Sequence, residues 1–300
     1  MNDTQNVALH TPVMLSEAIE ALQIKKGSWY IDATFGRGGH TQKMLELGAN
    51  VIALDHDQEA IHFGTEHFSS EVESKRIVLL RYNFAELTKA VAQAEEQLSE
   101  KIEIQGILFD FGTSVDQLTS QERGFSFTGN GPLDMRMDDR LGVTAAQLLA
   151  VLSEAQLKEM FRDYGGEVAA RAVAKAVVAE RSRQPIETTQ QLVQLISRVK
   201  HRRDRIHPAT KVFQALRMVV NSEVDNIEQG LPQALQVLAE QGVIVTIAFH
   251  EGEDRIVKHT FKKWDQEQKG TAHPLVKPSI EEINTNPPSR SAKLRIFEKN

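Results

Sequence analysis

The feature that most constrains the fold is an alternation of short apolar runs with amphipathic stretches near the start of the chain. Four apolar runs have the length of buried strands: Trp29–Ala33, Val51–Leu54, Ile77–Leu80 and Gly106–Phe109. Three stretches between them have helical spacing: His40–Leu47, Asp57–Phe68 and Phe84–Leu98. Strands that alternate with helices indicate a parallel sheet with crossover helices, so a doubly wound α/β domain is predicted.

The pattern changes after this region. Residues 112–141 have no clear period and are predicted to form a long structured loop, a kind of segment that often carries function. Residues 144–200 have helical patterns throughout, and two capping boxes mark helix starts: Ser153 with Gln156, and Thr188 with Gln191. The apolar run Val243–Phe249 then predicts a further buried strand.

A strand that returns after a purely helical block indicates that the block is inserted into one sheet domain. The predicted sheet domain comprises residues 1–137 and 211–300, and the predicted all-helical insertion comprises residues 138–210. A chain of 300 residues is long enough for both.

Composition excludes several kinds of chemistry. The chain has no cysteine, which rules out disulfides, thiolate nucleophiles, iron–sulfur clusters and cysteine-bound zinc. Its formal net charge of -6 argues against a protein that coats nucleic acid nonspecifically, so any RNA contact must be local. The densest basic run, residues 198–217, is equally consistent with such a contact and with a solvated helix face.

The N-terminal residues show no signal-peptide pattern, and no window has the apolar length of a membrane span. A cytoplasmic location is therefore expected.

The segment YIDATFGRGGHTQKML leads from a predicted strand through a glycine-rich turn into a predicted helix. Glycines at 36, 38 and 39 would let the backbone approach a nucleotide-like ligand, while helix N–H groups point towards it. A simple tight connection would use the same residues.

Two aspartates follow predicted strands. Asp55 ends the second strand, where Rossmann-like sites place an acid that binds ribose hydroxyls; alternatively it supports the start of the next helix. Asp110 follows the strand GILF at the carboxyl edge of the sheet, where open α/β folds bind ligands; alternatively it serves turn geometry. These features fit either a dinucleotide, as in an NAD-dependent oxidoreductase, or S-adenosylmethionine.

Six longer blocks distinguish these possibilities. They are DATFGRGGHT, GILFDFG, ERGFSFTGNGPLDMRMD, HPATKVFQALRMVVNSE, FHEGEDRIVK and NPPSRSAKLR. In this order they resemble the signature blocks of the bacterial 16S ribosomal RNA cytosine-N(4) methyltransferases of the RsmH/MraW type. The resemblance extends from His10 to Arg295.

The resemblance implies a class I, Rossmann-like methyltransferase domain with a helical insertion, and S-adenosylmethionine as cofactor, with no metal. It also implies transfer of a methyl group to the exocyclic N(4) amine of a cytidine in the decoding region of 16S ribosomal RNA, and it makes a homodimer plausible. Carried over by motif, the cofactor-binding residues are Gly38, Gly39, His40, Asp55, Phe84, Asp110 and Gln117. Phe84 would flank the adenine ring, although core burial is the more common role of an isolated Phe, and His40 would otherwise be a capping or surface residue.

Asp110 is also the candidate catalytic residue, because it could align the methyl donor with the amine. Phe125 and Phe127 could hold the flipped target base or could simply pack their loop. The candidate contacts to 16S ribosomal RNA or the small ribosomal subunit are Arg202, Arg203, Arg290, Lys293 and Arg295.

The chain departs from the family pattern at two places. Residues 112–117 read GTSVDQ where the family has GVSSPQ, and residues 248–255 read AFHEGEDR where it has SFHSLEDR. Both places adjoin the expected active site. Two alternatives therefore stay open: a divergent paralogue that acts on another RNA, and a noncatalytic ribosome-assembly factor that retains the cofactor pocket.

Overall fold

The computed structural model describes residues 12–112, 123–127, 129–200 and 206–300. The chain divides into two compact units. The sheet unit comprises Met1–Gly112 and Val224–Asn300, and the helical unit comprises Thr113–Glu223. The helical unit is thus inserted in sequence between the two parts of the sheet unit.

The described residues of the sheet unit form a seven-stranded sheet in the order β3-β2-β1-β4-β5-β7-β6. The strands are β1 Trp29–Asp32, β2 Asn50–Asp55, β3 Ile77–Arg81, β4 Ile104–Asp110, β5 Leu238–Ala248, β6 Gly270–Ala272 and β7 Lys293–Lys299. Strand β7 is antiparallel to β5 and β6, and the pairings among β1 to β5 are parallel. The predicted Rossmann-like α/β class is confirmed.

The described helices alternate with these strands and fill the insertion. In chain order they are α1 Leu15–Leu22, α2 Gly39–Glu46, α3 Gln58–His67, α4 Ser69–Glu73, α5 Leu87–Leu98, α6 Ala145–Val151, α7 Glu154–Asp163, α8 Ala170–Arg181, α9 Thr189–Val199, α10 Thr210–Val220, α11 Glu223–Val237, α12 Glu251–Gln266 and α13 Ile280–Thr285. Within the part of the chain that the structure describes, no helix is both long and apolar enough to cross a membrane.

The sheet buries side chains on both faces, and this explains its continuous apolar strands. Along β2, Val51 and Ala53 belong to one buried cluster, whereas Ile52 and Leu54 belong to the other. Successive residues of a strand point to opposite faces, so a strand covered on both sides needs apolar residues at every position. The helices on the two faces therefore leave the strand ends, rather than the strand faces, available for a ligand.

The helical unit has a core of its own, built from α6 to α10. Both predicted capping boxes, Ser153 with Gln156 and Thr188 with Gln191, are present at the starts of α7 and α9. Such caps satisfy backbone N–H groups that have no partner inside the helix.

This unit is wider than the predicted insertion of residues 138–210. On the N-terminal side, Phe125, Leu133, Met135 and Met137 are buried in the helical core, and α10 contributes Val212, Phe213 and Leu216 on the other side. The Asn221 side chain joins these two segments: its Oδ1 accepts from the Met137 amide at 2.7 Å and its Nδ2 donates to the Met135 carbonyl at 2.8 Å. The helical unit extends beyond residues 138–210 because these apolar residues on either side are buried in its core.

The two phenylalanines of the predicted functional loop have different environments. Phe125 is buried in the helical core. Phe127 is half-buried and stacks on His207, with ring centroids 4.6 Å apart. Packing accounts for Phe125, whereas Phe127 keeps part of its ring accessible.

Candidate functional site

The site is built where the strand order changes direction, between β1 and β4. In doubly wound sheets the crevice at this point, outside the carboxyl ends of the strands, is where ligands bind. Asp32 ends β1, Asp55 ends β2 and Asp110 ends β4. The parallel order therefore brings three carboxyl groups to one edge of the sheet.

The glycine-rich turn joins β1 to α2 and is closely packed. Gly38 has φ +72°, in the left-handed region, and a Cβ there would lie 2.6 Å from Cε2 of Phe35. A Cβ on Gly39 would lie 2.3 Å from Cγ of Pro12. These two positions thus need glycine for the protein's own packing.

Asp55 ties this turn to the end of β2. Its Oδ2 accepts from the Gly36 amide at 2.9 Å, and its Oδ1 accepts from the Asp57 amide at 2.8 Å. Burial raises the pKa of Asp55, and these two amides partly offset that effect. The start of α3 is capped by Asp57, whose side chain accepts from the Glu59 amide at 3.1 Å. Capping therefore does not account for Asp55.

Asp32 was not among the residues predicted for the site. It is buried, and it accepts hydrogen bonds from the Thr41 hydroxyl at 2.7 Å and the Thr34 amide at 3.2 Å. Burial raises the pKa of Asp32 to about 6 against the effect of these donors. A signal was present in the sequence, because Asp32 is a charged residue near the end of the otherwise apolar predicted strand Trp29–Ala33.

Of the three carboxyl groups that end strands at this edge, Asp110 has the fewest hydrogen bonds to its side chain from described residues. Its backbone amide donates to Thr34 Oγ1 at 2.7 Å, and its Oδ2 lies 3.9 Å from His40 Nδ1. Its Oδ1 is buried and has no hydrogen-bond partner among the described residues. Burial raises the pKa of Asp110 well above its ordinary value, and the charges of Asp32 and Glu253 raise it further.

His40 lies in the first turn of α2 and is neither a surface residue nor the cap, since Gly38 occupies the cap position. Burial lowers the pKa of His40 to about 4, so the ring is neutral at neutral pH. The contact between His40 and Asp110 is therefore not an ion pair at neutral pH. Among described residues, its Nε2 has no hydrogen-bond partner.

Phe84 follows β3 in a short 3₁₀ turn, Phe84–Glu86. Its ring contacts Phe109 edge-on, with centroids 5.6 Å apart, and Phe111 at 5.7 Å. A Cβ on Gly230 of α11 would lie 2.8 Å from Phe84 Cδ2. The ring is half-buried, so it both packs in the core and presents a surface on which a planar ring can lie.

The first turn of α12 supplies two residues that the prediction missed. His250 caps the helix through Nδ1, which accepts from the amides of Gly252 at 3.1 Å and Glu253 at 3.3 Å. Glu253 is buried, and its Oε2 accepts from the amides of Phe249 at 2.8 Å and His250 at 3.2 Å. Because β5 pairs with β4, with Ile247 opposite Asp110, this turn lies beside the end of β4.

The residues proposed for RNA contact fall in three groups. Arg290 is exposed in the 3₁₀ turn Pro287–Ser291. Lys293 and Arg295 lie on β7 and donate to the Asp254 carboxylate of α12, at 3.1 Å and 2.7 Å. Arg202 and Arg203, like the cofactor candidate Gln117, lie outside the described residues.

The acidic groups and the aromatic surface at this edge suit S-adenosylmethionine. Carboxyl groups at the ends of β1 and β4 favour a positively charged ligand, and Asp110 Oδ1 is a buried acceptor with no hydrogen-bond partner among the described residues. Phe84 offers a half-buried aromatic surface. The residues brought to this edge include six of the seven predicted cofactor residues: Gly38, Gly39, His40, Asp55, Phe84 and Asp110.

Comparisons with known proteins agree with this geometry. Residues 7–300 match the model of the MraW methylase family. The chain is 45% identical to the ribosomal RNA small subunit methyltransferase H of Coprothermobacter proteolyticus, over 98% of this chain and 97% of that protein. Proteins of the same name from Thermomicrobium roseum and Shewanella loihica are 43% and 41% identical, over 97% and 99% of this chain and 93% and 99% of theirs.

Both the family model and the relatives therefore span nearly the whole chain, including the sheet unit and the helical unit. The signature blocks that predicted the resemblance lie within this matched range. The chain belongs to the MraW methylase family.

Proposed function

We propose that this chain transfers the methyl group of S-adenosylmethionine to the exocyclic N(4) amine of a cytidine in the decoding region of 16S ribosomal RNA. Family membership and the names of the relatives support methyl transfer to small-subunit RNA. The observation that carries the proposal is the placement of Asp110 at the reversal of strand order, with an unpartnered carboxyl oxygen among the described residues.

In this proposal the cofactor residues divide by chemistry. Asp55 accepts hydrogen bonds from the ribose hydroxyls, Phe84 packs against the adenine, and the backbone from Gly38 to His40 contacts the methionine part. The bound cofactor supplies a methyl group on a sulfonium, which is already activated for transfer. The protein therefore has to orient the amine and accept its hydrogen bond.

The amine of cytosine is a poor nucleophile, because its lone pair is delocalised into the ring. Asp110 can accept a hydrogen bond from this amine and hold it in line with the methyl group. Glu253 and Asp32 add negative charge near the nitrogen, which becomes positive as the new N–C bond forms and the S–C bond of the sulfonium breaks. The Asp110 carboxylate can then accept the proton that this nitrogen loses, which leaves N(4)-methylcytidine and S-adenosylhomocysteine. We assign Asp110 this catalytic role.

The target base must leave its stack to reach such a site. We propose that Phe127, which is half-buried, contacts RNA together with Arg202, Arg203 and Arg290. Lys293 and Arg295 form ion pairs with Asp254. They can contact RNA only through bonds made in addition to these ion pairs or in exchange for them. Reversing the charge at Arg202 and Arg203 is expected to weaken RNA binding and to reduce its salt dependence, and unchanged binding would remove them from the footprint.

The decisive experiment is transfer of labelled methyl from S-adenosylmethionine to small ribosomal subunits and to free 16S RNA from cells that lack this protein. Nucleoside analysis should yield N(4)-methylcytidine, and Asp110→Ala should abolish it. Asp265→Asn, an exposed change on α12, is the control and should retain full turnover.

Other results would select the alternatives. A different methylated nucleoside, or transfer to another RNA only, would indicate a divergent paralogue. Binding to the subunit and cofactor without transfer would indicate an assembly factor. Sedimentation of the purified chain tests the homodimer, and a purely monomeric species contradicts it. A cytoplasmic location is part of the proposal, since ribosomal subunits are its substrate.

A further inference from the structure

Three acidic side chains from three neighbouring elements lie at the same edge of the sheet. Asp32 comes from the end of β1, Asp110 from the end of β4, and Glu253 from the first turn of α12, directly after β5. The charges of both Asp32 and Glu253 act on Asp110. The third facing group is His40 of α2, with Nδ1 at 3.9 Å from Asp110 Oδ2.

The three carboxyl groups differ in their hydrogen bonds. Asp32 accepts from Thr41 and Thr34, and Glu253 accepts from the amides of Phe249 and His250. Donors of this kind stabilise the ionised form of a carboxyl group. Asp110 Oδ1 receives no such donor from the described residues.

The described surroundings of Asp110 thus favour its neutral form. His40 cannot supply a compensating charge at neutral pH, because burial keeps its ring uncharged. Two neighbouring carboxylates oppose a third charge, as like charges that share a site do. A positive ligand placed beside Asp110 would reverse this balance.

We propose that Asp110 carries a proton in the free protein and releases it to solvent when the positively charged cofactor binds. The inference rests on the proposed function, in which that cofactor is S-adenosylmethionine. The carboxylic acid becomes a carboxylate, the proton passes to the buffer, and the sulfonium charge compensates the new negative charge. Asp110 is then able to accept a hydrogen bond from the substrate amine.

This coupling distinguishes the cofactor from its product. S-adenosylhomocysteine has the same adenosine and amino-acid parts but a neutral thioether in place of the sulfonium. It therefore supplies no positive charge that would stabilise the ionised form of Asp110. Affinity for S-adenosylmethionine should rise as the pH passes upward through the titration of Asp110, whereas affinity for the product should not follow it.

The test is isothermal titration calorimetry of the full chain with each ligand, in buffers of different ionisation enthalpy and over a range of pH. The wild-type protein should release protons on binding S-adenosylmethionine and fewer on binding S-adenosylhomocysteine. Asp110→Asn should remove this difference and reduce the preference for the charged ligand about tenfold.

Glu253→Gln should move the maximum of proton release to lower pH, because one of the charges that opposes ionisation is gone. Asp265→Asn, on the exposed side of the same helix, should leave both release and affinity unchanged. The wild-type comparison of the two ligands needs no variant, so it decides the matter even if Glu253→Gln does not fold.

Two failures can be told apart. If the wild-type protein does not bind S-adenosylmethionine, the proposed function itself is wrong. If it binds this ligand without releasing more protons than with the product, or if Asp110→Asn releases as many as wild type, the coupling is wrong while the proposed function stands.

Discussion

Arg295 on β7 donates from Nε to Oδ1 of Asp254 on α12 at 2.7 Å, and the two side chains are only 14% and 7% exposed. Lys293 donates to the other oxygen. Burial by itself would raise the pKa of Asp254, but hydrogen bonds from Arg295 and Lys293 outweigh it and lower the pKa. This pair fastens the first turn of α12, and with it His250 and Glu253, to the edge of the sheet.

Replacing Arg295 with Met should destabilise the protein, because Asp254 is left as a buried charge with only one cationic partner. We expect the free energy of unfolding in urea to fall by about 3 kcal/mol. Arg290→Met removes an exposed arginine and should change it by less than about 0.5 kcal/mol. Equal effects of the two changes would show that the Arg295 pair contributes nothing specific.

The same pair predicts a pH dependence. Since the pKa of Asp254 is lower in the folded than in the unfolded protein, its contribution is present above the unfolded pKa and lost as the pH falls through the folded value. The stability difference between wild type and Arg295→Met should therefore shrink below about pH 4. A difference that stays constant down to strongly acidic pH contradicts this account.

Gly38→Ala should impair both folding and cofactor binding. The backbone at this position is left-handed, with φ +72°, a conformation that alanine rarely adopts. The new Cβ would also lie 2.6 Å from the Phe35 ring. We expect a loss of about 2–4 kcal/mol in unfolding free energy, with weaker binding of S-adenosylmethionine in the fraction that folds.

Gly142→Ala is the matched control for this change, since a Cβ at Gly142 has open space around it. Its stability should equal that of wild type or exceed it slightly. Normal stability and affinity in Gly38→Ala would mean that the turn adjusts freely and that its packing does not define the site.

Phe84→Leu should weaken cofactor binding by about tenfold, because stacking of a base on an aromatic ring contributes about 1–3 kcal/mol. Phe127→Leu changes another half-buried phenylalanine, in the helical unit, and should leave the cofactor dissociation constant unchanged. Fluorescence titration or calorimetry measures both. Unaltered affinity in Phe84→Leu would limit this ring to core packing.

Asp32→Asn tests how much the burial of an ionised carboxyl group at Asp32 destabilises the protein, through the pH dependence of the effect. The pKa of Asp32 is raised to about 6 from 3.8, so its contribution to stability is present below the unfolded pKa and is lost as the pH rises through the folded value. Asn keeps an acceptor for Thr41 without a charge. The variant should gain up to about 3 kcal/mol over wild type above pH 7, and this gain should vanish below about pH 4. A gain independent of pH would contradict the assignment.

Strand and helix positions in the sheet unit could be predicted closely, because both faces of the sheet are covered. Predicted Val51–Leu54 became Asn50–Asp55, and predicted His40–Leu47 became Gly39–Glu46. Strand β7 was missed. Its residues, KLRIFEK, include three lysines or arginines and are only intermittently buried, so neither alternation nor a continuous apolar run marks it.

The acids of the site could be predicted in part, by their place after a strand. Asp55 and Asp110 follow clear apolar runs. Glu253 lies in EGEDR, which resembles a solvated helix start, and its burial depends on two backbone amides that only the fold brings to it. His250 likewise acquires its cap role from the turn into α12.

The extent of the helical unit could not be read from periodicity. Residues 123–127 and 129–143 contain no helix or strand, as predicted for a loop, yet this segment buries Phe125, Leu133, Met135 and Met137. An irregular segment has no repeating pattern that would show which side chains point inward. Its hydrogen bonds to Asn221, far along the sequence, fix that direction.

Strand β4 is hydrogen-bonded to β5 along its length, from Ile104 opposite Leu238 to Asp110 opposite Ile247, although the entire helical unit separates them in the chain. During synthesis β4 is consequently an open edge, whose backbone groups lack their β5 partners until the ribosome has produced the helical unit and then β5. The helical unit can close on itself in that interval through contacts local to it. A chain truncated before Leu238 should therefore aggregate through its unfinished sheet, and this stage of synthesis is the one at which we expect the protein to be most prone to aggregation.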